Sequence, residues 1–235
     1  MALSGKSLQF IAENHKQNSR EWFVEHKGEY EKHVKAPMQE LAESLIPTLV
    51  KIDPLLTLDP KRAVCRIYRD TRFSRDKTMF KRASWFVFQR SRGMVHPVWF
   101  FEFTPDWHHY GCGYYSTPTK VMERIRELVL AGDKRYLAAQ KALDGLRGFS
   151  LEGDLYKRPH YPDAAKKERD WLERRSITAL HYSEDKKKLF SKNLGAVLAE
   201  AFRKLAPVYS FLIDAHEAAE AKAMPQRRYP EDDWE

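Results

Sequence analysis

The sequence predicts an α+β domain: an antiparallel meander of about four to five strands flanked by N- and C-terminal helices. Apolar residues recur at helical spacing over the first fifty residues and again after Ser116, while the stretch between is dense in aromatic and β-branched residues. Short turn-forming runs, not crossover helices, separate those central segments. Helices, then strands, then helices again is the order of an α+β chain, whereas a doubly wound chain alternates the two. Neither a repeat nor a long linker divides the sequence. Residues 1–224 are therefore read as one domain, and 225–235 as a polar, proline-bearing tail expected to be mobile.

Each element has a local reason. Ser7 is the expected N-cap of the first helix, with Leu8, Ile11, Ala12 and His15 on one face. A second helix starts near Ser19 and aligns Trp22, Phe23, His26 and Tyr30. A third opens at Pro37, which suits a first helical turn, and directs Met38, Leu41, Leu45 and Leu49 inward; Pro47 argues against its last turn. Asp53-Pro54 and Asp59-Pro60 mark a loop. Strands are expected at 64–69, 84–90, 96–103 and 107–115, with tight connections at 91–94 and 104–106.

Past Ser116, Thr117 caps and Pro118 opens a helix carrying Val121, Ile125, Leu128 and Val129, which Gly132 closes. Another helix is expected at 133–143. Residues 144–162 read as a loop with a short extended piece at 155–157, followed by a charged helix at 163–175 and a strand at 176–182. The C-terminal helices carry Leu189, Phe190, Leu194, Val197, Leu198, Phe202 and Leu205, then Val208, Phe211 and Leu212 after a break at Pro207.

A hydrophobic fraction of 43% with 13% aromatic residues is that of a globular chain. No stretch reaches the roughly 20 apolar residues of a membrane helix, and the first residues lack a signal-peptide pattern. Cys65 and Cys112 form neither a disulfide framework nor a zinc spacing. A cytoplasmic protein with no membrane partner is expected; oligomeric state is left open.

Charge is where the sequence is most specific. Between residues 61 and 92 lie eleven Lys and Arg against two Asp, a net +9 that exceeds the +8 of the whole chain. Within it, arginines recur at every third position, at Arg66, Arg69, Arg72 and Arg75, followed by Lys77 and Lys81. Arginine suits bidentate recognition of carboxylate or phosphate, and lysine adds a mobile point charge. Ser74, Thr78 and loop amides offer further donors, and Asp70 and Asp76 can orient the arginines. The loop 66–81 is therefore expected to bind a phosphorylated or otherwise anionic small molecule. The alternatives are an enzyme acting on a phosphate-containing substrate, with Asp70 or Asp76 as acid/base or magnesium ligand, and a nucleic-acid-binding module. The bland reading is a structural ion-pair network that staples the loop.

The same residues carry a resemblance. Arg66-x-Tyr68-Arg69-Asp70-Thr71-Arg72-Phe73-Ser74-x-Asp76-Lys77-Thr78 is similar to the signature of the family called domain of unknown function 2461, a conserved hypothetical protein family. Asn18-x-Arg20-Glu21-Trp22-Phe23, with Lys27, Tyr30 and Pro37, resembles its opening motif. Gly111, Gly113 and Pro118 resemble its central turn, and Lys157-Arg158-Pro159 and Pro207-Val208-Tyr209-x-Phe211-Leu212 match in character. Met79-Phe80 stands where Pro-Tyr is expected, and Ser19 where a second Asn is. The resemblance spans residues 8–213 and implies one domain with a site, without supplying a reaction.

Other features point less far. His108, His109 and Cys112 lack a metal-ligand spacing, so no metal is assigned. Gly111-x-Gly113 is read as a strand bulge, since the third glycine of a dinucleotide fingerprint is missing. No motif identifies a cofactor. The aromatics of the strands are read as core more than as a base-stacking platform, and Lys186-Lys187-Lys188 as solvated surface at a helix start.

Overall fold

Helix α1, Gly5–Gln17, begins one turn before the expected cap: Ser4 is its N-cap. Ser7 is fully buried, its Oγ accepting from the Ser4 amide at 3.0 Å and donating to the His33 carbonyl at 2.6 Å. That carbonyl needs an outside donor because the residue four positions on is Pro37, which has no N–H. Ser7→Ala, which leaves two buried backbone groups short of a partner, is expected to cost about 2 kcal/mol in denaturant unfolding.

Asn18 turns α1 with a left-handed φ of 47°, and Ser19 caps α2, Arg20–Glu25, by accepting from the Trp22 amide. α3, Lys27–Tyr30, runs through a π-helical turn, Glu31–Lys35, into α4, Ala36–Ile52. Pro37 stands in the first turn of α4, as expected, although the helical path enters that turn from the π turn without a break. The wider π turn takes up a ring that would strike the preceding turn of an α-helix. Pro47 likewise lies within α4, where burial of Ala42, Leu45 and Leu49 outweighs one lost hydrogen bond.

The computed structural model describes residues 2–91 and 95–223, so the tail at 225–235 and most of the 91–94 connection lie outside the described residues. After α5, Pro60–Ala63, come strands β1, Ser84–Phe88, β2, Val98–Phe103, and β3, His108–Gly113. Helices α6, Thr119–Leu130, and α7, Lys134–Asp144, precede β4, Phe149–Glu152. α8, Lys166–Leu172, β5, Thr178–Ser183, α9, Lys186–Leu189, and α10, Leu194–Ala223, complete the chain. The five strands form one antiparallel sheet in the order β1-β2-β3-β5-β4, and the fold is α+β.

Four expectations are corrected. Residues 64–69 are not a strand, because their backbone changes partner: Cys65 N–H bonds β1 at Trp85, while Ile67 and Arg69 pair with the returning limb at Lys81 and Met79. β4 lies inside the expected loop, where four residues are too few to show alternation; Leu155 makes only an isolated bridge, to Arg174. The glycines do not bulge β3, since its register against β2 and β5 runs unbroken from His108 to Gly113. Pro207 also fails to break α10, which runs through it.

One sheet face is the core. Phe86, Phe88, Trp99, Phe101 and Phe103 are fully buried, and Trp99 packs on Phe202 and Tyr209 of α10 with ring centroids 4.7 and 4.9 Å away. α4, α6 and α7 pack around α10, and α8 against α6. On the other face Trp85, Val87, Phe100, Glu102 and His109 stay partly exposed. His108 is buried, and its neighbour His109 pairs with Glu102 on that open face at 2.7 Å, as period-two alternation requires. Among the described residues no helix is long and apolar enough to cross a membrane.

Candidate functional site

The basic loop is anchored at its base by two residues that pair across it. Tyr68 and Phe80 form an antiparallel bridge, closed by Arg69 N–H to the Met79 carbonyl at 2.8 Å and Lys81 N–H to the Ile67 carbonyl at 3.0 Å. Phe80 is fully buried, and its ring lies against Phe23 and Tyr68. The end of α1 docks here too: Asn18 Oδ1 accepts from the Met79 amide at 2.7 Å, and His15 Nδ1 lies 3.0 Å from the Phe80 carbonyl. The Asn18 and Phe23 segment and the arginine run, distant in sequence, thus meet in space.

Above this base, Asp76 pairs with Arg69 and accepts from the Thr78 amide and hydroxyl at 2.9 and 2.6 Å. Asp70 takes both Nε and Nη2 of Arg72, at 3.0 and 2.7 Å, and the Arg72 amide at 3.2 Å. The hydrogen bonds from the Arg72 side chain and amide hold Asp70 down at about 2. Those from Thr78, then Arg69, hold Asp76 well below the usual carboxylate range. Lys77 Nζ donates to the Thr71 carbonyl at 3.0 Å. Ser74 joins the turn through its amide, which donates to the Thr71 carbonyl at 3.3 Å. Arg66 and Arg75 are exposed, and neither pairs with a carboxylate among the described residues. At the tip, Phe73 is 95% exposed, beside the Arg72 guanidinium.

Beside the loop base lies a groove of about 540 Å³ between α5 and the outer face of β1, lined by Lys61, Arg62, Arg66 and Lys81 over Trp85. No Asp or Glu is among its described lining residues. Lys81 Nζ sits 3.8 Å from the Trp85 ring centroid and donates to the Arg66 carbonyl at 2.9 Å. Burial, and next to it the Arg66 charge, lower its pKa. Of the residues expected at the site, Arg66 and Lys81 enter this groove; Arg69, Asp70, Arg72, Ser74, Arg75, Asp76, Lys77 and Thr78 make up the loop beyond it. Lys61 and Arg62 were visible only as part of the charge cluster. Trp85 stood among the aromatics with nothing to say which face it took.

Lys157 and Arg158 line a separate open groove with Tyr156 and His160, whose rings stack at 4.0 Å. Cys112 is buried, which pushes its thiol up, so it offers no ligand beside His109. The side chains best placed for a cation are His96, His216 and Glu220, whose ligand atoms lie within 4.8 Å of one another.

Among curated proteins no sequence match to the chain was found. The family model described as conserved hypothetical protein, DUF2461, matches residues 6–211. That span holds the sheet, the basic loop and the groove, and the chain belongs to the DUF2461 family.

Proposed function

We propose that this protein binds a phosphorylated or otherwise anionic small molecule in the groove beneath the basic loop. The observation that carries the reading is four cationic side chains lining one groove with Trp85, with no carboxylate in the described lining. Such a lining attracts anions and disfavours cations, while the Trp85 face suits a ring-bearing ligand such as a nucleotide. Within the loop the hydrogen bonds from Arg72 to Asp70, and from Thr78 and then Arg69 to Asp76, hold both as weak bases, which favours a structural, orienting role for them over acid–base catalysis.

Arg66 gives the cleanest test, because its side chain is exposed and holds no carboxylate. Arg66→Ala is expected to leave unfolding stability within about 0.5 kcal/mol of the parent protein. It should weaken binding of the responding compound, in a calorimetric panel of inorganic phosphate, sugar phosphates and nucleotides, about tenfold, as loss of a charge-assisted bond implies. Absence of any response in the panel, or an unchanged response in the variant, would remove the proposal.

A second reading rests on Phe73. An aromatic ring standing clear of the surface amid arginines is suited to stack on an unpaired base. In that case single-stranded oligonucleotides bind with an affinity that falls steeply with salt. Phe73→Ala then weakens oligonucleotide binding and leaves the response to small phosphates intact.

A further inference from the structure

A different cluster, at the end of the sheet where β1 leaves and β2 begins, is built from three regions that no local motif links. His96 comes from the connection before β2, Tyr114 from the end of β3, and His216 and Glu220 from one face of α10, a single turn apart. The imidazoles of His96 and His216 lie against each other, with centroids 4.3 Å apart and planes tilted by 34°. His216 is 4% exposed, and its Nε2 lies 3.2 Å from Glu220 Oε1 without the alignment of a hydrogen bond. Nδ1 of His96 is also buried without a partner. Nδ1 of His216 does have one, the Tyr114 hydroxyl at 3.0 Å.

Two adjacent imidazoles with unpartnered buried nitrogens are unfavourable unless something shares them, since buried polar atoms ordinarily find partners. Direct pairing between the rings does not supply this, because His96 Nδ1 and His216 Nε2 each lack a hydrogen-bond partner. A cation does. Two imidazoles and one carboxylate are the donor set of a three-ligand transition-metal centre with a position left for water. We propose that His96, His216 and Glu220 bind a divalent transition-metal ion of the zinc class.

The geometry fits with a small closure. Metal–nitrogen bonds of about 2.0–2.1 Å place tetrahedral ligands roughly 3.3 Å apart. The His216–Glu220 pair already stands at that separation. All three ligand atoms already lie within 4.8 Å of one another, and the half-exposed Glu220 side chain has room to turn toward the imidazoles. Tyr114 supplies the support such a centre needs: with Nδ1–H of His216 donating to the Tyr114 oxygen, the Nε2 lone pair is directed at the metal. Nearby charge does not oppose it, since the Arg90 guanidinium is engaged by Asp53 and Glu217.

The test is titration of chelator-treated full-length protein with Co²⁺, read by its visible absorption, followed by displacement with Zn²⁺. One equivalent is expected to bind with a tetrahedral-type spectrum and to raise the unfolding temperature. Glu220→Gln, at a half-exposed position that does not threaten folding, and His96→Ala should each weaken binding at least about tenfold, as even supporting residues of metal sites do. Arg66→Ala, in the separate anion groove, should leave metal uptake unchanged. Lack of stoichiometric uptake by the parent protein, or undiminished affinity in both ligand variants, would overturn the assignment.

Discussion

Asp53→Ala is expected to destabilise the protein by about 3–5 kcal/mol, the range for removing one partner of a buried ion pair. Asp53 is 3% exposed and sits where the connection after α4 meets the end of the sheet and α10. Its Oδ2 accepts from Arg90 Nε at 2.6 Å and from the Tyr209 hydroxyl at 2.7 Å, and its Oδ1 from the Leu55 amide at 3.0 Å. Removing the carboxylate strands a poorly solvated guanidinium, a buried phenol and a backbone amide together. Glu217, the other partner of Arg90, is half-exposed and compensates little.

Acid should expose the same network. Burial alone pushes Asp53 up, but the hydrogen bonds from Arg90, Tyr209 and the Leu55 amide outweigh it, leaving the group below its ordinary 3.8. A depressed folded-state value means the stabilisation is complete above the unfolded value and lost as pH falls through the folded one. The parent protein should therefore show an acid-side loss of unfolding free energy that is smaller in Asp53→Ala. Urea unfolding between pH 7 and pH 3 measures both effects. A variant within 1 kcal/mol of the parent at pH 7 would show that the network does not hold these elements together.

Gly111→Ala should be as severe, with an expected loss of roughly 3 kcal/mol or more, at the upper end for overpacking. A Cβ at Gly111 would stand 1.9 Å from the Ala179 carbonyl oxygen and 2.8 Å from the Leu180 Cα, both backbone atoms of β5. β3 is held on its other side by β2, so it cannot shift away without breaking that ladder as well. Gly28→Ala is the contrasting control. It is exposed on α3 with open space where the Cβ would go, and should stabilise the fold by about 0.5–1 kcal/mol. Comparable unfolding midpoints for the two variants would contradict the close strand approach.

These two residues also show what the family-like motifs do. Gly111 and Tyr209 belong to segments that resemble the family's pattern, and both act in the scaffold: one admits a neighbouring strand, the other holds Asp53. Asn18 and Phe23, from the opening motif, fasten the base of the arginine loop. Part of the resemblance therefore records how the loop is anchored, while Arg66, Arg75 and Phe73 stand exposed on it.

Local chemistry was legible where a pattern was long enough to repeat. The helix start near Ser19, the helix closed at Gly132, and the strands around Phe86, Trp99 and Tyr110 follow from spacing and turn residues. Two prolines misled, because Pro47 and Pro207 each weaken a helix locally, and only packing against other elements shows that the helix survives. β4 was missed because four residues carry too little periodicity to register.

By itself the sequence determined the class of fold, the order of helices and strands, and the place of the positive charge, all of which follow from spacing and composition along the chain. The tertiary structure alone decided that Asp70 and Asp76 engage Arg72 and Arg69, that Lys61, Arg62, Arg66 and Lys81 share one groove with Trp85, and that His96 meets His216. Those outcomes depend on which residues chain folding brings within a few ångströms of each other, and contact between distant segments leaves no periodic trace in a single sequence.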